Sequence, residues 1–190
     1  MITTALEETW PEDSEIPVLF LGEWCRLYSR KERWSKMNAE VLPYHWDDRG
    51  KLYRDYLYIR DLYERVLKVL TEKLNNIHSV DHGLRYWRIL IGPWLGYFLQ
   101  ILFDRWETIR VAVEQFEPDL TIIQEFPEES MIPHEMKDFA GYFSSDEWNH
   151  FLYSRIIQHA TIIKCQTKSV SKEFNPNHTT PNQESLKQKL

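Results

Sequence analysis

A histidine beside two carboxylates, His45 with Asp47 and Asp48, is the part of the sequence best suited to catalysis. An imidazole titrates near neutral pH and can take a proton from a hydroxyl group, and the same set of residues can hold a cation. The two aspartates also suit the start of a helix, where carboxylates accept backbone hydrogen bonds and favour the helix dipole. Helix capping can account for the two aspartates, but it leaves His45 without a role. His45 is therefore a candidate catalytic residue, and Asp47 is the neighbouring carboxylate that is a candidate to act with it.

Glu23 and Trp24 follow the apolar run 16–22, which has the pattern of a buried parallel strand. In open α/β sheets, ligands bind beyond the carboxyl ends of the strands. Glu23 is therefore a second candidate for a general base toward an acceptor hydroxyl, and Trp24 is a candidate surface for stacking a sugar ring. The structural alternative is a turn that ends the strand and packs its tryptophan.

His82, Arg85 and Arg88 stand at the start of a long helical pattern. Helix N-termini and guanidinium groups both bind anions, so these residues are predicted to bind a phosphate group, with surface salt bridges as the alternative. His78 and His82 have a four-residue spacing that zinc ligands sometimes have, but the sequence identifies no third ligand, and we predict no metal site.

Asn149 and His150, near the start of the last helical pattern, are weaker candidates for substrate binding, because they can face either a cleft or solvent. The sequence contains no P-loop, no Gly-x-Gly-x-x-Gly motif and no Ser-His-Asp order. No cofactor is therefore predicted.

Two apolar runs, at 16–22 and 120–124, are predicted to form the strands that position these side chains. Parallel strands require crossover connections, and the long helical patterns between the two runs can supply them, which indicates the α/β class. Two strands are too few for a stable sheet. Further strands are expected in poorly patterned segments or in sequence outside this chain.

Three regions have helical patterns. Apolar residues recur every three or four positions from Leu52 to Leu74, and Asp47 or Asp48 can cap this helix. A second pattern spans 84–116, and its Gly92-Pro93 pair is expected to break or bend it. A third begins at Asp146, the predicted cap.

Composition excludes several classes of protein. The 190 residues have a net charge of −6, which lacks the basic excess that drives nucleic-acid binding. The most apolar stretch, 89–103, is interrupted and shorter than the roughly 18 residues of a membrane-spanning helix. The N-terminus lacks the signal-peptide pattern, and Cys25 and Cys165 have no zinc or redox spacing, so a cytoplasmic protein with free thiols is expected.

The organisation predicted along the chain is one domain followed by a polar segment. Residues 1–165 contain the predicted strands and helices. Residues 166–190 contain few apolar side chains and cannot bury enough surface to offset the entropy of ordering them, so a disordered tail or a linker is expected.

Four uncommon strings stand in the sequence: Phe20-Leu-Gly-Glu-Trp-Cys25, Tyr44-His-Trp-Asp-Asp-Arg49, Arg85-Tyr-Trp-Arg-Ile-Leu-Ile-Gly-Pro-Trp94 and Asp146-Glu-Trp-Asn-His150. With the opening Thr3-Thr-Ala-Leu-Glu-Glu8, they resemble the N-terminal part of a transferase family associated with bacterial O-antigen and other surface-carbohydrate loci. The resemblance runs in order over residues 3 to 160, and the string that begins at Arg85 is its most distinctive part.

Members of that family are longer than this chain, and their C-terminal half is similar to spore-coat polysaccharide proteins and CDP-glycerol glycerophosphotransferases. The resemblance implies the helix-rich, Rossmann-like N-terminal half of a glycosyltransferase-B-like architecture, incomplete in this chain. It implies transfer of a sugar or glycerol-phosphate group from a nucleotide-activated donor to a carbohydrate acceptor, with proximity to a membrane and with the donor site in the absent half. The alternative is a non-catalytic module that binds a glycan or a protein partner.

Overall fold

Residues 1–169 are described by a computed structural model, in which helices outweigh strands. The helices are α1 (Lys31–Trp34), α2 (Arg49–His78), α3 (Leu84–Phe116), α4 (Met136–Tyr142) and α5 (Asp146–Ala160). The strands are β1 (Val18–Phe20), β2 (Ala39–Val41), β3 (Leu120–Glu125) and β4 (Lys164–Ser169). The α/β class is confirmed, with a larger share of helix than of strand.

The fold divides into two compact units, a division that the sequence patterns did not indicate. Unit 1 comprises residues 1–42 and the chain from 112 onward, and unit 2 comprises residues 43–111. Strand β4 continues to Ser169, so residues 166–169 of the predicted tail take part in a sheet. The rest of the predicted tail, 170–190, lies outside the described residues.

Unit 1 contains two short parallel sheets, β1 with β2 and β3 with β4. The strands predicted within 16–22 and at 120–124 are confirmed as β1 and β3. The expected further strands are β2 and β4. Neither has the apolar pattern of a buried strand, since β2 is Ala-Glu-Val and β4 is Lys-Cys-Gln-Thr-Lys-Ser.

The first residues of the chain lie between these two sheets. The Ile2 amide donates to the Leu19 carbonyl at 2.8 Å, which forms a parallel bridge to β1. On the other side, the Met1 nitrogen donates to the Leu120 carbonyl at 2.8 Å, and the Thr121 hydroxyl donates to the Met1 carbonyl at 3.0 Å. Met1 and Ile2 therefore connect both sheets of unit 1 through backbone groups.

The core of unit 1 beside β1 is rich in aromatic rings. Trp10 and Phe20 are both almost fully buried and pack edge to face, with ring centroids 5.6 Å apart. Trp24 packs against the same cluster, and its indole N–H donates to the Thr3 carbonyl at 3.0 Å. The ring of Trp24 lies directly over Gly22, where a side chain would overlap it.

Unit 2 is a hairpin of two long helices, α2 and the first 28 residues of α3. Its core is formed by Ile59 and Leu67 of α2 with Leu95 and Leu99 of α3. The predicted apolar face of α2 is confirmed for Ile59 and for the partly buried residues packed with it, Tyr63, Val66 and Leu70. Tyr56, assigned to that face by its spacing, is instead exposed.

Helix α3 is continuous through Gly92-Pro93, so of the two expected outcomes, a break or a bend, the break does not occur. Gly92 lies against the hydroxyl of Tyr63 on α2, where any side chain would collide with it. Packing on α2 therefore maintains the helix despite the lost backbone donor of proline. Among residues 1–169, no helix combines the length and apolar character needed to cross a membrane.

The cap of α5 differs from the predicted one. Ser145, rather than Asp146, is the N-cap, and its hydroxyl accepts from the Trp148 amide at 3.2 Å. Asp146 occupies the first turn, where its carboxylate accepts from the Ala5 amide at 3.4 Å and lies 3.7 Å from Arg30. Its contacts to the N-terminal segment replace the predicted capping role.

Replacing Gly22 by alanine is expected to destabilise unit 1 by about 1–3 kcal/mol, because the new methyl group overlaps the Trp24 ring. The matched control is Gly141→Ala in α4, where nothing lies within 4 Å of the added methyl group and alanine is the better helix former. Urea unfolding measures both free energies. Equal stability of Gly22→Ala and the unmodified protein would contradict this packing.

Candidate functional site

His45 and Asp104 form a buried pair in unit 2. The His45 Nε2 lies 3.1 Å from the Asp104 Oδ1, and the two side chains are 2% and 6% exposed. The Tyr44 hydroxyl donates to the same carboxylate oxygen at 2.9 Å. The Arg105 guanidinium contacts the other oxygen, Oδ2. Three donors thus converge on one buried carboxylate.

The Asp104 carboxylate is an anion at neutral pH. Burial acts to raise its pKa, but the hydrogen bond from His45, the charge of Arg105 and the hydrogen bond from Tyr44 outweigh burial and lower it. Burial and the Asp104 charge raise the pKa of Tyr44, so the phenol keeps its proton and donates it to Asp104. Since the carboxylate can only accept, the His45 Nε2 carries a hydrogen.

The other ring nitrogen of His45 is the unusual atom of this group. With the hydrogen on Nε2, a neutral imidazole has its lone pair on Nδ1. Nδ1 is buried and has no hydrogen-bond partner among residues 1–169. A buried acceptor without a partner costs roughly 1–3 kcal/mol. The arrangement therefore presents an oriented base with a vacant acceptor position, the chemistry needed to bind and deprotonate a hydroxyl group.

Asp47 is not part of this pair. Its side chain is exposed, and its backbone amide closes the turn by donating to the Tyr44 carbonyl at 3.0 Å. The next residue, Asp48, caps α2 by accepting from the Gly50 amide at 2.8 Å and the Lys51 amide at 3.1 Å. The carboxylate that orients His45 is instead Asp104, 59 positions along the chain.

A second ionic network joins α2 to α3 near the same end of the hairpin. Lys51 lies 2.5 Å from the Asp55 carboxylate and 2.7 Å from the buried Glu107 carboxylate, and Arg110 lies 2.7 Å from Glu107. Burial acts to raise the pKa of Glu107, but the hydrogen bonds from Arg110 and Lys51 prevail and lower it to about 2. The Trp46 indole N–H donates to Asp55 at 2.9 Å. These contacts fix the segment that carries His45 against α3.

The predicted anion site is at the other end of the hairpin. His82 lies in the connection after α2, its backbone amide donating to the Asn75 side chain at 3.1 Å, and its ring packs 3.9 Å from the Tyr86 ring. The 30 residues of α2 extend about 45 Å at 1.5 Å per residue, so His82 and His45 cannot form one site within unit 2.

The two predicted arginines differ in their surroundings. Arg88 makes a bidentate ion pair with Glu64 of α2, both contacts at 2.7 Å, and its guanidinium lies 5.7 Å from the centre of the Tyr63 ring. Arg85 is exposed. Arg88 therefore forms a salt bridge, which was the alternative to phosphate binding. Of the two arginines of the predicted anion site, Arg85 is the exposed one.

Glu23 and Trp24 form the turn that follows β1, as the sequence predicted, but both have contacts within unit 1. Glu23 is exposed and accepts from the Arg26 guanidinium, including a 3.0 Å bond from Nε. Trp24 is half-buried and bonded to the Thr3 carbonyl. A sugar could stack on Trp24 only over the part of its ring that remains exposed.

Asn149 and His150 have structural contacts. The Asn149 amide donates to the carbonyls of Phe143 and Ser145 at 2.9 and 2.7 Å, which ties the end of α4 to the start of α5. His150 is 1% exposed, accepts from the Gln124 amide on Nε2 at 2.9 Å, and lies 2.8 Å from the Thr3 hydroxyl on Nδ1. Both nitrogens of His150 are therefore satisfied, in contrast to those of His45.

A pocket of about 870 Å³ opens in unit 1 beside the amino ends of β1 and β3. Its apolar lining includes Trp10, Phe116 and Leu120. Its polar lining residues include Asn38 and Gln166, the acidic residues Glu12, Asp13, Glu40, Glu117 and Asp119, and one lysine, Lys168. The excess of carboxylates makes the pocket better suited to a neutral or cationic polar ligand than to a phosphate.

Residues 1–169 contain no group of three or more His, Cys, Asp or Glu side chains placed to hold a metal ion. Cys25 is a buried free thiol and Cys165 an exposed one. Desolvation raises the pKa of Cys25 to about 12, so this thiol is unreactive at neutral pH.

A model of a protein family, described as LIC12162 family transferase, matches residues 1–190. The chain belongs to this family of transferases. The predicted resemblance to a transferase family is confirmed, whereas the match carries no information about donor, acceptor or polysaccharide. No curated protein and no solved structure matches the chain.

Sequence reasoning located His45 but missed its partner. Asp104 and Glu107 stand just after the most apolar stretch of the chain. Asp104 comes seven residues after the exposed Tyr97, and Glu107 comes eighteen after the exposed Ile89, so the helical period places both on an exposed side of α3. The sequence therefore offered no signal for their burial, which depends on the segment before α2 and on the start of α2.

The burial of His150 is expected to make stability depend on pH. Burial lowers its pKa from 6.5 to about 4, so between these values the unfolded chain binds a proton that the folded protein excludes. The associated stability, about 3 kcal/mol from the shift, is complete above pH 6.5 and is lost as the pH falls toward 4.

The test is His150→Gln, which keeps an acceptor for the Gln124 amide but does not titrate. We expect its unfolding free energy, measured with urea from pH 7 to about 4, to fall less steeply than that of the unmodified protein. His134→Gln, at an exposed position, is the control and should leave the slope unchanged. If the unfolding free energy of His150→Gln fell with pH as steeply as that of the unmodified protein, His150 would be shown to bind a proton equally well in the folded and unfolded states.

Proposed function

We propose that the protein acts in bacterial surface-carbohydrate biosynthesis and that His45 is the general base toward the acceptor. The reaction class is transfer of a sugar or glycerol-phosphate group from a nucleotide-activated donor to a hydroxyl group. Membership of a transferase family supports the class of reaction. The observation that carries the assignment of His45 is its oriented Nδ1, which has no hydrogen-bond partner among residues 1–169, whereas both nitrogens of His150 are bonded.

In the proposed step, the acceptor oxygen attacks the anomeric carbon of a sugar donor or the phosphorus of a glycerol-phosphate donor. Its proton passes to the His45 Nδ1, and the bond from the transferred group to the nucleotide breaks, so that the nucleotide leaves with its phosphate or diphosphate. Asp104 stabilises the resulting imidazolium through Nε2 and holds the ring in the productive tautomer. Nδ1 is enclosed in the structure, so acceptor binding must open a path to it.

The surrounding ion pairs have a positioning role in this proposal. The Lys51 contacts with Asp55 and Glu107 hold the start of α2 on α3, and the Tyr44 and Arg105 contacts fix the Asp104 carboxylate. A base held in one geometry by such contacts loses less entropy when the substrate binds. Glu23, Trp24 and Arg85 remain predicted contributors to acceptor or phosphate binding.

We also propose that unit 1 is the Rossmann-like first half of a glycosyltransferase-B-like architecture. Its paired strands are all parallel, and Ile2 adds a parallel bridge to β1. Parallel strands separated by helical segments are the building pattern of Rossmann-like folds. The nucleotide-activated donor is proposed to bind a second half with the same pattern.

Replacing His45 by glutamine is expected to lower the transfer rate about 100-fold or more, because the base is lost while the size of the side chain is similar. Asp104→Asn should lower it at least tenfold, since an amide does not stabilise the imidazolium. The assay uses a family member that contains both proposed halves and measures nucleotide release from a panel of nucleotide sugars and CDP-glycerol, with and without oligosaccharide acceptors. His159→Gln, an exposed histidine in unit 1, is the control. Full activity of His45→Gln would exclude His45 as the base.

Glycan binding without catalysis is the second candidate function, and the pocket in unit 1 favours it. Amide and carboxylate groups beside exposed apolar side chains suit the hydroxyls and the apolar face of a sugar. If this function is correct, calorimetry should detect binding of neutral oligosaccharides but not of nucleotides, and Asn38→Ala should weaken that binding. Nucleotide release that depends on His45 would favour the transferase.

A further inference from the structure

Helix α3 has a stripe of apolar side chains on its exposed face. Ile89 and Leu90 are 68% and 57% exposed, and Tyr86 and Tyr97 are also largely exposed. With Pro93 these residues stand 0, 3, 4, 7 and 11 positions after Tyr86, the pattern of one face of a helix. Large apolar patches of this kind are rare on protein surfaces unless they contact a partner or a membrane.

The stripe extends to the closed end of the hairpin. Ile77 at the end of α2, Val80 in the connection and Leu84 at the start of α3 are exposed as well. We call these three residues together with Tyr86, Ile89, Leu90, Pro93 and Tyr97 the apolar stripe. Residues 84–97 alone extend about 20 Å along α3. The stripe is therefore long and narrow, and it follows the helix axis.

The charges around the apolar stripe are mainly positive. From Ile77 to residue 103, the span that contains the stripe, the charged side chains are Arg85, Arg88 and one carboxylate, Asp81 in the connection between the helices. Arg88 is paired with Glu64, whereas Arg85 is exposed beside the stripe. Unit 2 has eleven lysines and arginines against nine carboxylates, and the rest of the chain has twelve against twenty. Of the two units, only unit 2 has the sign of charge that an anionic surface attracts.

We propose that unit 2 binds the surface of an anionic lipid bilayer through the apolar stripe. The aliphatic side chains enter the boundary between head groups and acyl chains, the tyrosines remain at head-group level, and Arg85 contacts lipid phosphates. Helix α3 then lies in the plane of the interface. This geometry needs no helix that crosses the membrane, and the described residues contain none.

A second copy of the chain fits the stripe less well than a bilayer does. The stripe lies on unit 2, where lysines and arginines outnumber carboxylates eleven to nine, so pairing two copies through it brings surfaces of like sign together. Asp81 is the single carboxylate among residues 77–103, so the stripe offers few partners for Arg85 and Arg88 of another copy. An anionic bilayer supplies both the apolar phase and the opposite charge, which is why we assign the stripe to lipid rather than to self-association.

The experiment measures cosedimentation of the protein with vesicles of phosphatidylcholine alone and of phosphatidylcholine with an equal share of phosphatidylglycerol. We expect binding to the anionic vesicles, weakened by added salt, and much weaker binding to phosphatidylcholine. The double variant Ile89→Ser with Leu90→Ser should lower the partition coefficient about tenfold or more, because both inserted side chains are lost. Arg85→Gln should lower it about fivefold on anionic vesicles only.

The control is Ile162→Ser, since Ile162 is 97% exposed in unit 1 and lies outside the stripe. Circular dichroism establishes that each variant keeps its helix content, and Arg85→Gln tests the proposal independently if the double variant is unstable. Undiminished vesicle binding by both variants, or no binding of the unmodified protein to anionic vesicles, would overturn the proposal. So would sedimentation equilibrium that shows a dimer which the double variant converts to monomer.

Discussion

The buried carboxylate of Asp104 is the interaction on which the arrangement of unit 2 depends. An unpaired carboxylate in this position would cost several kcal/mol, so the fold must bring donors to it. Two of the donors, Tyr44 and His45, belong to the segment before α2, and the third, Arg105, is its neighbour on α3. Satisfying one charge therefore fixes the start of α2 on α3 and also sets the tautomer and orientation of His45.

The two buried histidines show how hydrogen-bond accounting separates a structural residue from a candidate catalytic one. His45 and His150 are both almost fully buried, so burial does not distinguish them. His150 has a partner on each nitrogen, one from Thr3 and one from the Gln124 backbone, and this joins α5 to β3 and to the N-terminal segment. His45 has a partner on one nitrogen, and the other is enclosed without a partner among the described residues. The His45 Nδ1 therefore remains an acceptor that a substrate hydroxyl can use, whereas His150 offers none.

Local sequence patterns predicted the local features and missed the distant ones. The helical period from Leu52 onward, the strand at 120–124 and the capping of α2 by Asp48 all depend on neighbours within a few residues. The pairing of His45 with Asp104 depends on how α2 and α3 pack, which no short-range spacing encodes. Strand β4 was missed for a related reason, because its polar residues are held by hydrogen bonds to β3 and not by an apolar pattern.

Helix α3 links the two proposals through its geometry. Asp104 lies two helical turns after Tyr97, the last residue of the apolar stripe, and so on the same side of α3, where His45 of the segment before α2 covers it. Seven residues separate these positions, about 10 Å along the helix. If α3 lies in the interface of a bilayer, the His45 pair is held close to the lipid surface, because the stripe runs along the helix and not across its end. A hairpin that entered the bilayer only by its closed end would instead place the pair about 30 Å away, because Asp104 lies twenty residues after Leu84. The extension of the stripe to Tyr97 therefore favours the flat orientation, in which the base can meet acceptors carried by the membrane.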